Sequence, residues 1–142
     1  MNILHLSDFH FKMSNPLDFE DMGKKIATDA KEKLGDRKLD LIVFSGDLSF
    51  TGDKKENFAM AASVLFDPLK EEFRLTNDEI LIAPGNHDRV FEGEMPMVQT
   101  CLDKCLTQTE LDAFCSYPEQ LEHSLIEQKA YNDFLQTFYS DI

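Results

Sequence analysis

No apolar stretch in this 142-residue chain approaches the roughly 18 residues that a transmembrane helix needs, so no membrane partner is expected. The opening Met-Asn-Ile-Leu-His-Leu-Ser-Asp lacks a basic stretch, and His5 and Asp8 interrupt its apolar run, so a secretory signal peptide is not expected either. Basic residues are scarce: 14 Lys and Arg stand against 27 Asp and Glu, a net charge of −13. Such a surface repels phosphate backbones at long range and argues against a nucleic-acid partner. It leaves open a small phosphorylated substrate, because cations held by clustered carboxylates make a site locally positive. Cysteine is sparse too. Cys101, Cys105 and Cys115 are odd in number and close together, which fits reduced thiols in a cytoplasmic protein better than a disulfide framework. There is no internal repeat and no low-complexity tract.

An apolar share of 42% and a charged share of 29% are ordinary for a globular chain, and the length suits one compact domain. Three short apolar runs, Ile3–Leu6, Leu39–Phe44 and Ile80–Ala83, have strand length and end abruptly in small or polar residues. Between them the pattern is helical. Leu17 to Leu34 brings Phe19, Met22, Ile26 and Ala30 onto one face, with Gly35 as its stop. Phe58 to Phe73 does the same with Ala61, Ala62, Leu65 and Leu69, and Pro68 predicts a break or kink. Strands alternating with helices imply parallel βαβ units, hence an α/β fold. Past Val90 the pattern changes, which predicts a first segment over residues 1–95 and a helical extension or insertion of the same domain over 96–142. Thr107 and Glu110 have capping-box spacing, and a longer helix starts near Ser116 and carries Leu121, Leu125, Ala130, Phe134, Leu135 and Phe138.

Each strand-like run leads into metal-capable residues: Ser7-Asp8-Phe9-His10, Ser45-Gly46-Asp47 and Gly85-Asn86-His87-Asp88. In open α/β sheets ligands bind beyond the carboxyl ends of the strands, so the three clusters are expected to converge. Asp8 and His10, one residue apart in an extended segment, would point to the same side and grip one ion. Mixed carboxylate and imidazole donors suit Zn, Mn or Fe better than Ca. Asp47 could bridge two cations roughly 3.5–4 Å apart. Taken singly, the first two clusters also read as ordinary turn residues. The third, ending in Asn-His-Asp at a strand terminus, is hard to explain by turn chemistry alone.

Together, Asp8-x-His10, Gly46-Asp47 and Gly85-Asn86-His87-Asp88, about forty residues apart in this order, resemble the first three signature motifs of the calcineurin-like metallophosphoesterases. The flanking Leu-His-Leu-Ser-Asp-Phe-His and Val-Phe-Ser-Gly-Asp-Leu look most like the bacterial phosphodiesterase-type members. The resemblance covers residues 1 to about 90. It implies half of a metallophosphoesterase sandwich, two divalent metal ions (Mn, Fe or Zn) and a phosphate-ester substrate, with a small nucleotide-like ester expected. By the same resemblance Asp8 and His10 bind the first ion, Asp47 bridges both, and Asn86 binds the second. His87 would be the general acid for the leaving alkoxide, with Asp88 orienting its ring.

The family completes its site with three further histidines, one in a later strand and two in a Gly-His-x-His motif on a second sheet. After His87 the only histidine is His123, on a pattern that predicts a solvent-facing residue. The chain is therefore expected to be a partial domain with a weak second site, the rest coming from the same or another chain. The competing reading is a non-catalytic metal-binding or interaction module with the same fold. A nuclease of the superfamily is disfavoured by the acidic surface. His5 is expected to pack within the sheet, and Phe9, Phe11, Phe44, Phe50, Phe58, Phe66 and Phe73 to be mainly core or edge contacts, with Phe9 and Phe11, beside the first motif, also placed where they could line a substrate pocket.

Overall fold

A computed structural model describes residues 1–90, 107, 109, 116 and 128–140. The three apolar runs form one parallel sheet: β1 (Ile3–Leu6), β2 (Leu41–Ser45) and β3 (Ile80–Ala83), in the order β1-β2-β3. Leu4 pairs with Ile42 and Ile42 with Ile80; two residues on, Leu6 pairs with Phe44 and Phe44 with Ile82. Because side chains alternate along a strand, these six share one face. Ile42, Phe44 and Ile80 are fully buried there, under the helices. The other face carries Ile3, His5, Leu41, Val43 and Leu81, and both Ile3 and Leu81 are exposed. The α/β class, a parallel three-stranded sheet with helices, is as the alternation requires. His5 differs: it is exposed on the open face, its Nε2 2.7 Å from the Ser45 hydroxyl on the neighbouring strand.

The first helix, α1 (Met22–Leu34), begins five residues later than the apolar spacing suggests, because Pro16–Asp18 forms a separate 3₁₀ turn. It stops where expected. Gly35 adopts φ 59° and its N–H closes on the Lys31 carbonyl at 3.0 Å. The second helical stretch comprises α2 (Lys55–Ala61), a π turn over Ala62–Phe66 and α3 (Asp67–Phe73). Pro68 falls in the first turn of α3. A proline inside a helix removes one hydrogen bond and clashes with the carbonyl four residues back, and the wider π turn opens the ladder at that place.

The last described element, α4 (Lys129–Phe138), packs Phe134 on Phe58 and Phe138 on Phe66 at centroid distances of 5.6 and 5.3 Å. Tyr131 and Tyr139 donate their hydroxyls to the carbonyls of Ile82 and Ile80 at 3.1 and 2.8 Å, occupying backbone acceptors of β3. An unpaired strand edge invites foreign pairing, and α4 masks part of this one. Lys55 and Asp133 add an ion pair between α2 and α4. Glu110, and with it the expected capping box, the long-helix residues between Ser116 and Gln128, the three cysteines and His123 lie outside the described residues. No helix among the described residues is long and apolar enough to cross a membrane.

Candidate metal centre at the carboxyl edge of the sheet

The segments leaving β1 and β2 run side by side beyond the strands. Asp8 N–H donates to Gly46 O at 3.0 Å, His10 N–H to Asp47 O at 3.0 Å and Phe11 N–H to Leu48 O at 2.8 Å. Phe50 N–H returns to Phe11 O at 3.0 Å. This extended ladder fixes the first motif against the second. The segment leaving β3 closes from the other side: His87 N–H donates to Asp47 Oδ1 at 2.8 Å.

Two glycines make that closure possible. A Cβ on Gly46 would stand 2.9 Å from Gly85 Cα, and one on Gly85 would stand 2.1 Å from Asp47 Oδ1. Gly46 also holds φ 107°, a conformation that side chains rarely adopt. The Gly-Asp and Gly-Asn-His-Asp motifs thus interlock through their glycines, and any side chain at Gly85 would displace the Asp47 carboxylate.

The convergence brings three donors together. One ligand atom each from His10, Asp47 and His87 lie within 4.8 Å of one another, the only such group of His, Cys, Asp or Glu among the described residues. His10 Nε2 is 4.0 Å from Asp47 Oδ2, too far for a hydrogen bond. Two bonds of about 2.0–2.2 Å to one ion can span that gap. His10 Nδ1 is buried with no hydrogen-bond partner among the described residues. A half-buried imidazole with its inner nitrogen unpartnered among the described residues and the other facing a carboxylate at ion-sharing distance fits a small divalent cation, and the mixed nitrogen and oxygen donors suit Zn, Mn or Fe.

Asp8 does not join this group. It is exposed, and with φ 60° at Asp8 and φ 51° at His10 neither residue has the extended backbone that would put both side chains on one side. Asn86 is exposed at the start of the 3₁₀ turn Asn86–Asp88. His87, expected to act in proton transfer, stands among the candidate ligands, its ring 4.7 Å from that of His10. Its Nδ1 lies 3.0 Å from the Phe50 carbonyl, which can only accept, so the proton sits on Nδ1 and Nε2 is left to accept, ligate or, in the charged ring, donate.

Asp88 does not orient the His87 ring. It is fully buried and its carboxylate is taken by backbone amides: Oδ1 accepts from Ser49 N–H at 2.7 Å, and Oδ2 from Leu48 N–H at 3.2 Å and Gly85 N–H at 2.8 Å. Burial pushes this carboxyl above the ordinary carboxylate value; the amides of Gly85, Ser49 and Leu48 pull it down, and the nearby Asp47 charge adds a smaller push upward. Asp88 therefore staples the second motif loop to the third, and the carbonyl of Phe50 holds the His87 ring. Nothing in the sequence marks a backbone carbonyl for that role.

The aromatic residues beside the site are mainly core contacts, as expected, with Phe50 the exception. Phe11 is fully buried, and Phe9, 5.7 Å from both Phe11 and Phe44, packs into the core. Phe50, read from sequence as a core or edge contact, is 41% exposed beside the two histidines.

A sequence model of the calcineurin-like phosphoesterase family matches residues 1–139, and the chain belongs to that family. The match runs well past residue 90, where the signature motifs end.

Proposed function

We propose that this chain hydrolyses phosphate esters at a divalent-metal centre built on His10, Asp47 and His87, with a diester or monoester of a small nucleotide-like molecule as substrate. The observation that carries the reading is the convergence of those three donors, from three different strand ends, within 4.8 Å. Bound divalent cations, two of them in such hydrolases, supply charge neutralisation at the phosphoryl oxygens and a water made acidic enough to attack. The protein's own contribution is positional. The ladder between the first two motifs fixes His10 relative to Asp47, the Asp88 staple fixes the third motif, and the Phe50 carbonyl sets the tautomer of His87. Because Nδ1 is held by the Phe50 carbonyl, Nε2 is the one free nitrogen of His87 and serves as ligand or as proton donor, not both; where His10 and Asp47 hold the ion without it, protonated Nε2 has a hydrogen to give to a leaving alkoxide, the role of general acid.

Among the described residues the triad supplies at most three ligands, two when His87 acts as the acid, and either is fewer than two ions need. We propose that Asp8 and Asn86 bind at the margin of the site and that the remaining donors come from outside the described residues, in the same or another chain. We place the protein in the cytoplasm, with residues 96–142 as an extension of the same domain.

The test is hydrolysis of bis-p-nitrophenyl phosphate with Mn²⁺, in chelator, and in Asp47→Asn. Metal-dependent turnover that Asp47→Asn abolishes, together with loss of metal in a titration, supports the reading. Metal binding without turnover of any ester would establish the alternative, a metal-binding module that keeps the fold.

A further inference from the structure

Among the described residues Phe50 is the only aromatic side chain among the exposed large hydrophobics, at 41% exposure, whereas Phe11 and Phe44 nearby are fully buried. Its ring centroid is 6.1 Å from that of His87 and 6.5 Å from that of His10. A singly exposed apolar residue is ordinary on a protein surface; what singles out this ring is its place beside a polar, metal-capable centre, where the apolar part of a bound ligand could cover it. We propose that the Phe50 ring is the recognition surface for a flat aromatic substituent on the phosphate ester, an aryl or heteroaryl group, and so selects such esters over alkyl ones. This rests on the metal-centre reading and goes beyond it by assigning a specificity-determining side chain.

The surroundings fit that occupant. Phe50 lines two clefts, one of about 410 Å³ shared with Thr51, His87 and Arg89, and one of about 390 Å³ shared with Lys12 and Asn57. Each has the volume of a small-molecule site. The first contains His87, so a phosphoryl group held at the triad has its substituent within reach of the Phe50 ring. Lys12 Nζ lies 4.4 Å from the ring centroid, a cation–π contact on one face. The backbone is rigid, because Phe50 N–H is bonded to Phe11 O and Phe50 O to His87 Nδ1, both at 3.0 Å. The ring is thus presented from a fixed point, and stacking on it needs no rearrangement of the main chain. Pairing of a planar group with an aromatic ring adds about tenfold in affinity.

The experiment uses two probes with no ester bond to hydrolyse, phenylphosphonate and methylphosphonate, titrated by calorimetry into the Zn²⁺-loaded full chain. Wild type is expected to bind phenylphosphonate about tenfold more tightly than methylphosphonate. Phe50→Ala should collapse that ratio to near one, and Phe50→Tyr should keep it, with Zn²⁺ affinity tracked in the same samples. A ratio unchanged in Phe50→Ala, or wild-type binding of both probes without preference, overturns the aromatic subsite alone. Failure of the Zn²⁺-loaded wild type to bind either phosphonate overturns the metal-centre reading and this one with it.

Discussion

Replacing Asp88 with Asn is the sharpest probe of how the centre is held. The carboxylate accepts three amides, two at Oδ2 (Leu48 and Gly85) and one at Oδ1 (Ser49), in a fully buried position. An amide keeps its shape but has one oxygen only. If that oxygen takes the Oδ2 place, the new NH₂ faces the Ser49 N–H, where a bond of 2.7 Å stood; the opposite flip loses two bonds. The better rotamer therefore forfeits one charge-assisted bond and leaves a buried donor against a donor. A bond to a charged group contributes roughly 1.5–3 kcal/mol and an unsatisfied buried donor costs roughly 1–3 kcal/mol, overlapping quantities that together suggest about 2–4 kcal/mol. Urea unfolding at constant m, followed by circular dichroism, should show that loss as a lowered midpoint. Metal affinity should fall about 10–100-fold, as for other outer-shell partners, because the staple between the Asp47 and His87 loops is cut. Asp88→Ala, which strands all three amides, should be worse. An Asp88→Asn protein within about 0.5 kcal/mol of wild type, the range of ordinary surface substitutions, with unchanged metal affinity would refute the staple.

Four further outcomes follow from the same coordinates. Gly85→Ala puts a Cβ 2.1 Å from Asp47 Oδ1, so metal binding should be lost in a Zn²⁺ titration and stability should fall by about 1–3 kcal/mol, the scale of overpacking. His87→Ala should slow hydrolysis of esters with alkoxide leaving groups by roughly 10²–10⁴ and spare p-nitrophenyl esters if His87 is the acid; equal loss for both, with metal stripped, would assign it to ligation. Burial raises the Tyr131 and Tyr139 hydroxyls above the ordinary tyrosine value, so their contribution is intact below pH 10 and is lost as pH climbs through the folded values; Tyr131→Phe should blunt this alkaline unfolding and cost about 1 kcal/mol at neutral pH for the bond to Ile82 O. Asp133 is held below the usual carboxylate value by hydrogen bonds from Lys55 and then Lys129, so its help in docking α4 is present above the unfolded value and disappears as pH falls through the folded one; Lys55→Met should weaken that acid dependence in a circular-dichroism titration.

The sheet was readable because its strands are short apolar runs with abrupt polar ends, and two of the three have the same bounds in the structure as in the pattern. Helix starts were less readable. Phe19 is apolar and three residues before Met22, on the spacing of the α1 face, yet Pro16 favours a tight turn, and local backbone preference prevailed over hydrophobic spacing. At the site, residue type and position at strand ends pointed to His10, Asp47 and the third motif, since these depend only on which strand precedes which loop. The finer assignments depended on backbone conformation, which residue types encode weakly. Asp8 and His10 leave the extended region, so the same-side argument for a one-residue spacing does not hold there. Likewise Leu48 is buried and Phe50 exposed although two apart, because strand parity ends at Gly46 and Asp47. The work of Asp88 was invisible for another reason: its partners are main-chain amides, and every residue but proline has one.

The backbone of the centre carries its own energetic logic. Asp8, His10 and Asp47 hold φ of 60°, 51° and 57°, the left-handed region. That conformation costs a residue with a side chain up to roughly 1–2 kcal/mol, less for Asp and His than for branched residues. Three in one cluster therefore oppose folding by a few kcal/mol. The four loop bonds joining the first two motifs contribute about 1 kcal/mol each, enough to offset the strain, and the Asp88 staple adds more. Each loop alone would relax; each is kept in its strained form by the other two. Such mutual restraint gives the folded sheet edge its own hold on the donor geometry, so a divalent ion bound there would meet His10 and Asp47 already at 4.0 Å. It also explains why the glycines matter as much as the ligands. Loops that must interlock at backbone distance leave no room for a Cβ at Gly46 or Gly85, and without the interlock the three left-handed residues have nothing to hold them.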